Sequence, residues 1–471
     1  MDLYVGRTAP AAYHTGMAPS PSPRSAARLE LLRSALDLGL SLPRLARYYP
    51  FRKGYEARVA QDLAGAPAPV ESCPVGPLPE RPLRIFLAVA EPSGEGHGAR
   101  LAQAITALAR ELGAPAPELR GLGGEELAAA GVQTLADPGA QASMGSAGPL
   151  RALPFYLDLI EDSARCFRDW LPDLFVPVDS PALFIPMART AQRYGVPCVH
   201  HIAPQFWGWA PWRVKRYRKH IQQALTIMPF EPAWYARHGV ATGHVGHPLL
   251  DALQNLPTPP SADAPERNAL ILLPGSRGHE IDDNLGWMLQ VVQRFIAAKP
   301  GTPVRVLQSS PRQERRIQTL LEGHPQVELR VGDLHTELAH GRVALAVSGT
   351  VLTDLLHHRM PACAIYRDTG AWKSRMIDVL LTCRSFVSTN LVAGKPVLPE
   401  HCFRGDGPQE EVASWLISAW DDPELRQELA AGMQLAAERL GPPGAAKRAA
   451  SFVLHAAAER ARAQGSGRAH S

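Results

Sequence analysis

Short apolar runs alternate with longer stretches of helical spacing along most of this chain. Runs of three to eight such residues fall at 83–90, 119–124, 133–135, 174–178, 198–202, 224–228 and 242–245. After a break they resume at 269–273, 304–308, 327–331, 343–347 and 361–366. Runs that are apolar throughout, rather than alternating, mark strands buried on both faces, as in a parallel sheet flanked by helices. The pattern therefore predicts an α/β protein with two βαβ series. The Pro-rich stretch between Leu253 and Arg267 (NLPTPPSADAPER) is the expected hinge between them.

The ends of the chain look different. The expected division is an N-terminal extension over 1–80, a first α/β domain over 81–255, a second over 256–445, and a C-terminal helix and tail over 446–471. The extension is rich in Pro and Ala and is expected to be partly helical or disordered. Within it, 26–38 carries leucines at helical spacing, which suits packing on a neighbour or lying on a membrane surface. Residues 73–82 read as a linker.

Composition narrows the class. With 471 residues, 45% apolar and 20% charged, two cores of ordinary size are expected. A net charge of +4 gives no reason to expect nucleic acid. Six scattered cysteines without a Cys-x-x-Cys pair point to a reducing compartment and away from zinc. No apolar run reaches bilayer length and no secretory leader is evident, so a soluble or peripherally attached cytoplasmic protein is expected.

Polar chemistry collects where apolar runs stop. Glu91, Ser93 and Gly94 follow the first run, in a glycine-rich turn that is neither a dinucleotide nor a P-loop pattern. Asp179 ends the 174–178 run, and the run after it leads to Trp207, Trp209 and Trp212. An acid at a strand end beside aromatic rings suits a sugar or another ring substrate. In the second series, Gly275, Ser276 and Arg277 form an anion site before a helix. Ser348, Gly349 and Thr350 repeat the theme, and Asp354 lies one turn on, where it could accept from ribose hydroxyls. Residues 150–159, including Leu150, Leu153 and Phe155, offer either ordinary helix packing or an acyl-chain and membrane patch. The basic run 213–219 reads as a solvated face or as a site for an anionic partner.

Taken in order, Glu91-x-Ser93-Gly94, Asp179-x-Pro181, Pro204-x-x-Trp207-x-Trp209-x-x-x-Arg213, Pro229-Phe230-Glu231 and Gly246-His247-Pro248 resemble the lipid A disaccharide synthase family. So do Leu273-Pro274-Gly275-Ser276-Arg277, Ser348-Gly349-Thr350 and Asn390-Leu391-x-Ala393-Gly394. The resemblance implies a GT-B architecture, two Rossmann-like domains with parallel sheets facing across a cleft. It implies transfer of diacylglucosamine from its UDP ester to diacylglucosamine 1-phosphate, with inversion, to give a β-1,6 disaccharide and UDP. Asp179 takes the place of the family's essential aspartate, and Glu91 and Arg277 are expected to be catalytic with it. Arg277 and Ser348-Gly349-Thr350 would hold the diphosphate and Asp354 the ribose, and Asn390, of a further family motif, joins Gly275 and Ser276 among the expected UDP-sugar-binding residues. Ser93, Gly94, Trp207, Trp209, Leu150, Leu153 and Phe155 fall on the acceptor and lipid side.

No metal or cofactor is expected. A peripheral place on the inner face of the cytoplasmic membrane and a homodimer are implied. The sequence departs from the family pattern at Glu95, Gly148, Ala182, His201 and Gln205, all in the first half. A related UDP-sugar transferase or epimerase with another acceptor, and a nucleotide-sugar-binding protein without turnover, are the alternative readings.

Overall fold

The structure is a computed structural model that describes residues 22–143, 153–367, 381–383 and 385–468. Two all-parallel sheets form its frame. The first contains β1 (Arg84–Val89), β2 (Glu118–Leu122), β3 (Gln133–Ala136), β4 (Leu174–Val178), β5 (Val199–His201), β6 (Gln223–Thr226) and β7 (Thr242–His244). Their order is β3-β2-β1-β4-β5-β6-β7. The second contains β8 (Ala269–Leu273), β9 (Val304–Gln308), β10 (Val327–Val331), β11 (Gly341–Val347), β12 (Ala362–Arg367) and β13 (Glu400–Phe403), in the order β10-β9-β8-β11-β12-β13. Both orders reverse direction beside their first strand, between β1 and β4 and between β8 and β11. At such a switch point the loops at the carboxyl ends diverge and leave a crevice.

Burial explains why the central strands are continuous apolar runs. Every residue of β4 and of β8 is buried. On β8, Leu270 and Leu272 pack on one face with Ile281, Leu285 and Phe295 of the helix Gly278–Ala298. Ala269, Ile271 and Leu273 join the larger core on the other face.

Several elements differ from expectation. The glycine-rich stretch after β1 is not a turn: the helix Pro92–Glu111 begins at once, with Pro92 at its first position. A Cβ on Gly98 would stand 2.5 Å from Val89 Cγ2, and one on Gly94 would stand 3.0 Å from Val89 Cγ1. These glycines let the helix approach β1. The edge strand β13 has a polar sequence that apolar periodicity does not reveal. Residues 388–393 form a short helix, closed by Gly394 at φ +69°, across the Asn390-Leu391-x-Ala393-Gly394 motif.

The N-terminal segment is helical and docked. Helices Pro23–Gly39, Ser41–Tyr48 and Arg52–Ala64 precede an extended stretch. The first packs on helices Leu153–Asp169 and Pro181–Arg193. The third reaches the second domain, where Arg439 Nη2 donates to the carbonyls of Leu63 (3.0 Å) and Gly65 (2.8 Å). The expected linker 73–82 runs along the last helix, Ala445–Arg468. Cys73 N donates to Ser451 Oγ at 2.9 Å, and Pro74 O lies 2.9 Å from His455 Nδ1. That last helix packs on Pro92–Glu111, so the chain ends against its own first domain.

Candidate active site

The two switch points carry the residues singled out by sequence. Glu91 follows β1 and Asp179 follows β4, and these strands are hydrogen-bonded neighbours. Arg277 follows β8 and Ser348 follows β11, neighbours in the second sheet. Each pair is thus held at adjacent carboxyl ends by the sheet itself.

On the first-domain wall the backbone is strained. Asp179 (φ 53°), Ser180 (φ 44°) and Ile202 (φ 60°) are all left-handed without being glycine. Such conformations persist only where neighbours impose them, and they gather at functional sites. Here Asp179 N donates to His201 O at 2.9 Å, while His200 Nε2 lies 2.8 Å from Asp179 O. Ser180 Oγ donates to Glu91 Oε1 at 3.5 Å, which links the two acids. Asp179 is exposed at the sheet's carboxyl end, yet protein encloses much of its carboxyl group. That burial, with the Glu91 charge adding to it against a bond from Ser180 N, raises its pKa above the usual aspartate value.

The tryptophan loop splits into two roles. Trp207, expected on the acceptor side, is 2% exposed, and its indole N–H donates to Glu231 Oε1 at 2.9 Å. Glu231 Oε2 also accepts from Ile227 N and Met228 N, each at 3.0 Å, so this pair braces the loop rather than lining a surface. Burial pushes the Glu231 carboxyl up to about 7 against those bonds. Trp209 is 43% exposed, with the Arg213 guanidinium 4.8 Å above its ring. Trp209 bridges to Leu381, and Thr382 N donates to Gly208 O at 2.9 Å, so this loop meets the second domain. The basic run is largely committed within the molecule: Arg213 stacks on Trp209 and Phe206, and Arg216 pairs with Asp37.

Of the remaining residues expected on the acceptor side, Ser93 is exposed and Gly94 is buried against Val89. Phe155 is half-buried against the core. Leu153 opens the helix Leu153–Asp169, and Leu150 lies outside the described residues.

On the second-domain wall, Gly275 adopts φ +112°, and a Cβ there would meet Glu280 Cβ at 2.7 Å. Glu280 folds back to accept from Ser276 N (3.0 Å), Arg277 N (3.2 Å) and Arg277 Nη1 (2.9 Å). Arg277 therefore has a local structural partner that the sequence reading did not give it, while its side chain stays 62% exposed. Ser348 Oγ donates to Phe386 O at 3.2 Å, and Gly349 and Thr350 are exposed with open space beside Gly349. Asp354 is partly buried, which raises its carboxyl to about 6, and His335 Nε2 lies 3.7 Å from it. Asn390, expected to bind the nucleotide, is 4% exposed and fully occupied. It donates to Leu398 O and accepts from Val397 N and Leu398 N, all at 2.8 Å. Its role is to brace that loop.

Periodicity missed the histidines around the first-domain crevice. Burial holds His200 and His247 neutral with pKa values near 4, and His201 near 3. Burial first, and then Arg100, lowers His97 to about 4. His200 and His201 lie within β5, His247 follows β7 in the Gly246-His247-Pro248 motif, and His97 sits in the helix after β1, so no shared spacing brings them together in the sequence. Among the described residues no group of three or more His, Cys, Asp or Glu side chains is arranged to hold a metal ion.

The family model for lipid-A-disaccharide synthetase matches residues 85–428. The lipid-A-disaccharide synthase of Myxococcus xanthus is 30% identical over 385 residues, 79% of this chain and 97% of that one. That of Alcanivorax borkumensis is 31% identical over 376 residues, 78% and 96% respectively. Two solved structures share the fold. A putative UDP-N-acetylglucosamine 2-epimerase from Listeria monocytogenes superposes with TM-score 0.53 at 13% identity, covering 79% of this chain and 95% of that one. The S. aureus MnaA–UDP co-structure gives 0.51 at 14%, covering 78% and 94%. With its family model spanning both sheets, this chain, a glycosyltransferase of GT-B architecture, belongs to the lipid-A-disaccharide synthetase family.

Proposed function

We propose that the chain joins UDP-2,3-diacylglucosamine to 2,3-diacylglucosamine 1-phosphate, with Asp179 as the general base. The observation that carries this reading is the pinned, left-handed Asp179 at the β1/β4 switch point, exposed at the sheet's carboxyl end and with a raised pKa. Its carboxylate takes the proton of the acceptor 6-hydroxyl as that oxygen attacks the anomeric carbon. The bond from the anomeric carbon to the phosphate oxygen breaks from the opposite side, and UDP leaves with the electron pair. The product is the β-1,6 disaccharide 1-phosphate.

Arg277 neutralises charge growing on the leaving diphosphate, and the backbone at Gly349 and Thr350 supplies further donors. Asp354 accepts from the ribose hydroxyls. Glu91 keeps the neighbourhood of Asp179 negative, and Trp209 with Ser93 borders the acceptor. Gly275 permits the turn that aims Arg277.

Among the described residues no helix is long and apolar enough to cross a membrane. Attachment to the inner face of the cytoplasmic membrane therefore belongs to this proposal as a peripheral contact, as does a homodimer. Incubation with both lipid substrates tests the reading. Equimolar UDP and disaccharide 1-phosphate are expected, and a folded protein that forms neither would overturn it.

A further inference from the structure

Helix Pro23–Gly39 is turned inside out compared with an ordinary surface helix. Its buried face holds Ala26, Ala27 and a glutamate, Glu30, which is 0% exposed. Glu30 is met by Arg189 Nε at 2.8 Å and Arg193 Nη2 at 2.7 Å from the helix that follows Asp179. Three of its leucines point the other way, Leu29 at 39% exposed, Leu32 at 67% and Leu36 at 63%, and Leu40 just past the helix continues them at 38%. Steps of three, four and four residues stack these side chains along one side of the helix. The turn after helix Ser41–Tyr48 adds Tyr49 (55%) and Phe51 (65%). Lone exposed apolar side chains need no explanation, but a contiguous stripe does, because folding gains nothing from leucines left in water.

Charge says what meets the stripe. Residues 22–64 contain eight Arg or Lys against four Asp or Glu, a surplus as large as the +4 of the whole chain. The four acids are engaged: Glu30 with Arg189 and Arg193, Asp37 with Arg216, Glu56 with Arg52 and Asp62 with Arg237. Arg28, Arg47 and Lys53 are exposed and have no acidic partner among the described residues. An apolar stripe beside unpaired cations fits the headgroup and acyl boundary of an anionic bilayer. A two-fold contact with a second copy would instead press these like charges together.

We infer that helix Pro23–Gly39 and the Tyr49–Phe51 turn form a docking surface for an anionic phospholipid bilayer. This surface lies outside the family-matched residues 85–428. It packs on helix Leu153–Asp169, where Tyr156 is 37% exposed, and on helix Pro181–Arg193, so the lipid-contacting face is one helix away from Asp179. The inference extends the lipid-substrate reading above, and its vesicle-binding test uses neither substrate.

The full chain is to be sedimented with phosphatidylglycerol/phosphatidylethanolamine vesicles and with phosphatidylcholine vesicles, at low and high salt. Binding to the anionic vesicles that weakens with salt is expected. Leu32→Ser/Leu36→Ser should lose at least about tenfold in vesicle affinity, with circular dichroism and melting temperature unchanged because both side chains are exposed. Arg28→Glu/Lys53→Glu should remove the preference for anionic lipid. No binding by the parent chain, or equal binding by the leucine variant, would overturn the inference. So would a dimer in vesicle-free solution that the leucine substitutions dissociate. Turnover of detergent-dispersed substrates should be unaffected by either variant. Absence of that turnover in the parent chain would count against the proposed reaction and leave the vesicle result standing.

Discussion

The imidazole of His200 holds the backbone of Asp179, with Nε2 2.8 Å from the Asp179 carbonyl oxygen. A carbonyl can only accept, so Nε2 carries the proton, and the neutral form is kept by burial that lowers its pKa to about 4. This one bond opposes the relaxation of two consecutive left-handed residues. His200→Phe keeps the ring volume and deletes the donor. It should lower kcat by roughly tenfold, the effect of about 1–2 kcal/mol for one lost buried bond, and leave UDP affinity alone. His200→Gln, which can return a nitrogen to the same place, should restore most of the loss. Equal kcat for the Phe variant would remove His200 from the account.

Glu30 anchors the N-terminal helix to the first domain through arginines about 160 positions away. Removing it leaves Arg189 (8% exposed) and Arg193 (17%) without their shared acid. Glu30→Ala should cost about 3 kcal/mol of unfolding free energy, the scale for breaking a buried ion pair from one side. Urea denaturation would show this as a lower midpoint. An unchanged midpoint would mean that the extension contributes nothing to the stability of the fold.

Acid should destabilise the protein before most of its carboxylates titrate. Burial depresses His97, His200, His220, His244 and His247 to about 4, and His201 and His358 to about 3. The unfolded chain binds protons at these sites near 6.5 and the folded chain does not, so their contribution is complete above 6.5 and is lost as pH falls toward 4. Glu231 at about 7 and Asp354 at about 6 act in the opposite sense, as do the upward-shifted Glu30, Glu71 and Asp179, but the lowered histidines, which also include His238, His335 and His357, outnumber them. Unfolding free energy measured in urea should therefore fall between pH 6.5 and 4. A flat profile across that window would contradict the buried, neutral state of these rings.

Arg277 has two calls on its guanidinium, Glu280 now and the diphosphate in the proposed reaction. Arg277→Ala should weaken UDP binding by about tenfold to a hundredfold, the loss of one charge-assisted contact. Arg277→Lys should recover only part, since a point charge replaces a planar fork. Calorimetric titration with UDP distinguishes this from a purely structural role, which would move melting temperature and leave affinity in place.

How far the sequence could be read depended on where each cause lies. β4, β8, β9 and β10 were legible to the residue, and β4 and β8 in particular are central strands whose every side chain is buried. β13 was not, because an edge strand reading EHCF has no apolar signature. The acids at strand ends were legible because a carboxylate stopping an apolar run is a local event. The true tasks of Trp207 and Asn390 were not, since Glu231 and residues 397–398 reach them only through the fold. Glu280, three positions beyond Arg277, was a local clue to an ion pair. The helix around Glu30 showed its spacing in sequence, but which face turns inward was decided by Arg189 and Arg193.

Turnover by Asp179→Asn, measured as UDP released from the two lipid substrates and set beside UDP affinity, tests the base assignment most directly. Asparagine fits the same pinned loop and cannot take the proton. A fall in kcat of about 10³-fold with UDP affinity unchanged is the expected result. Turnover close to that of the parent chain would contradict it.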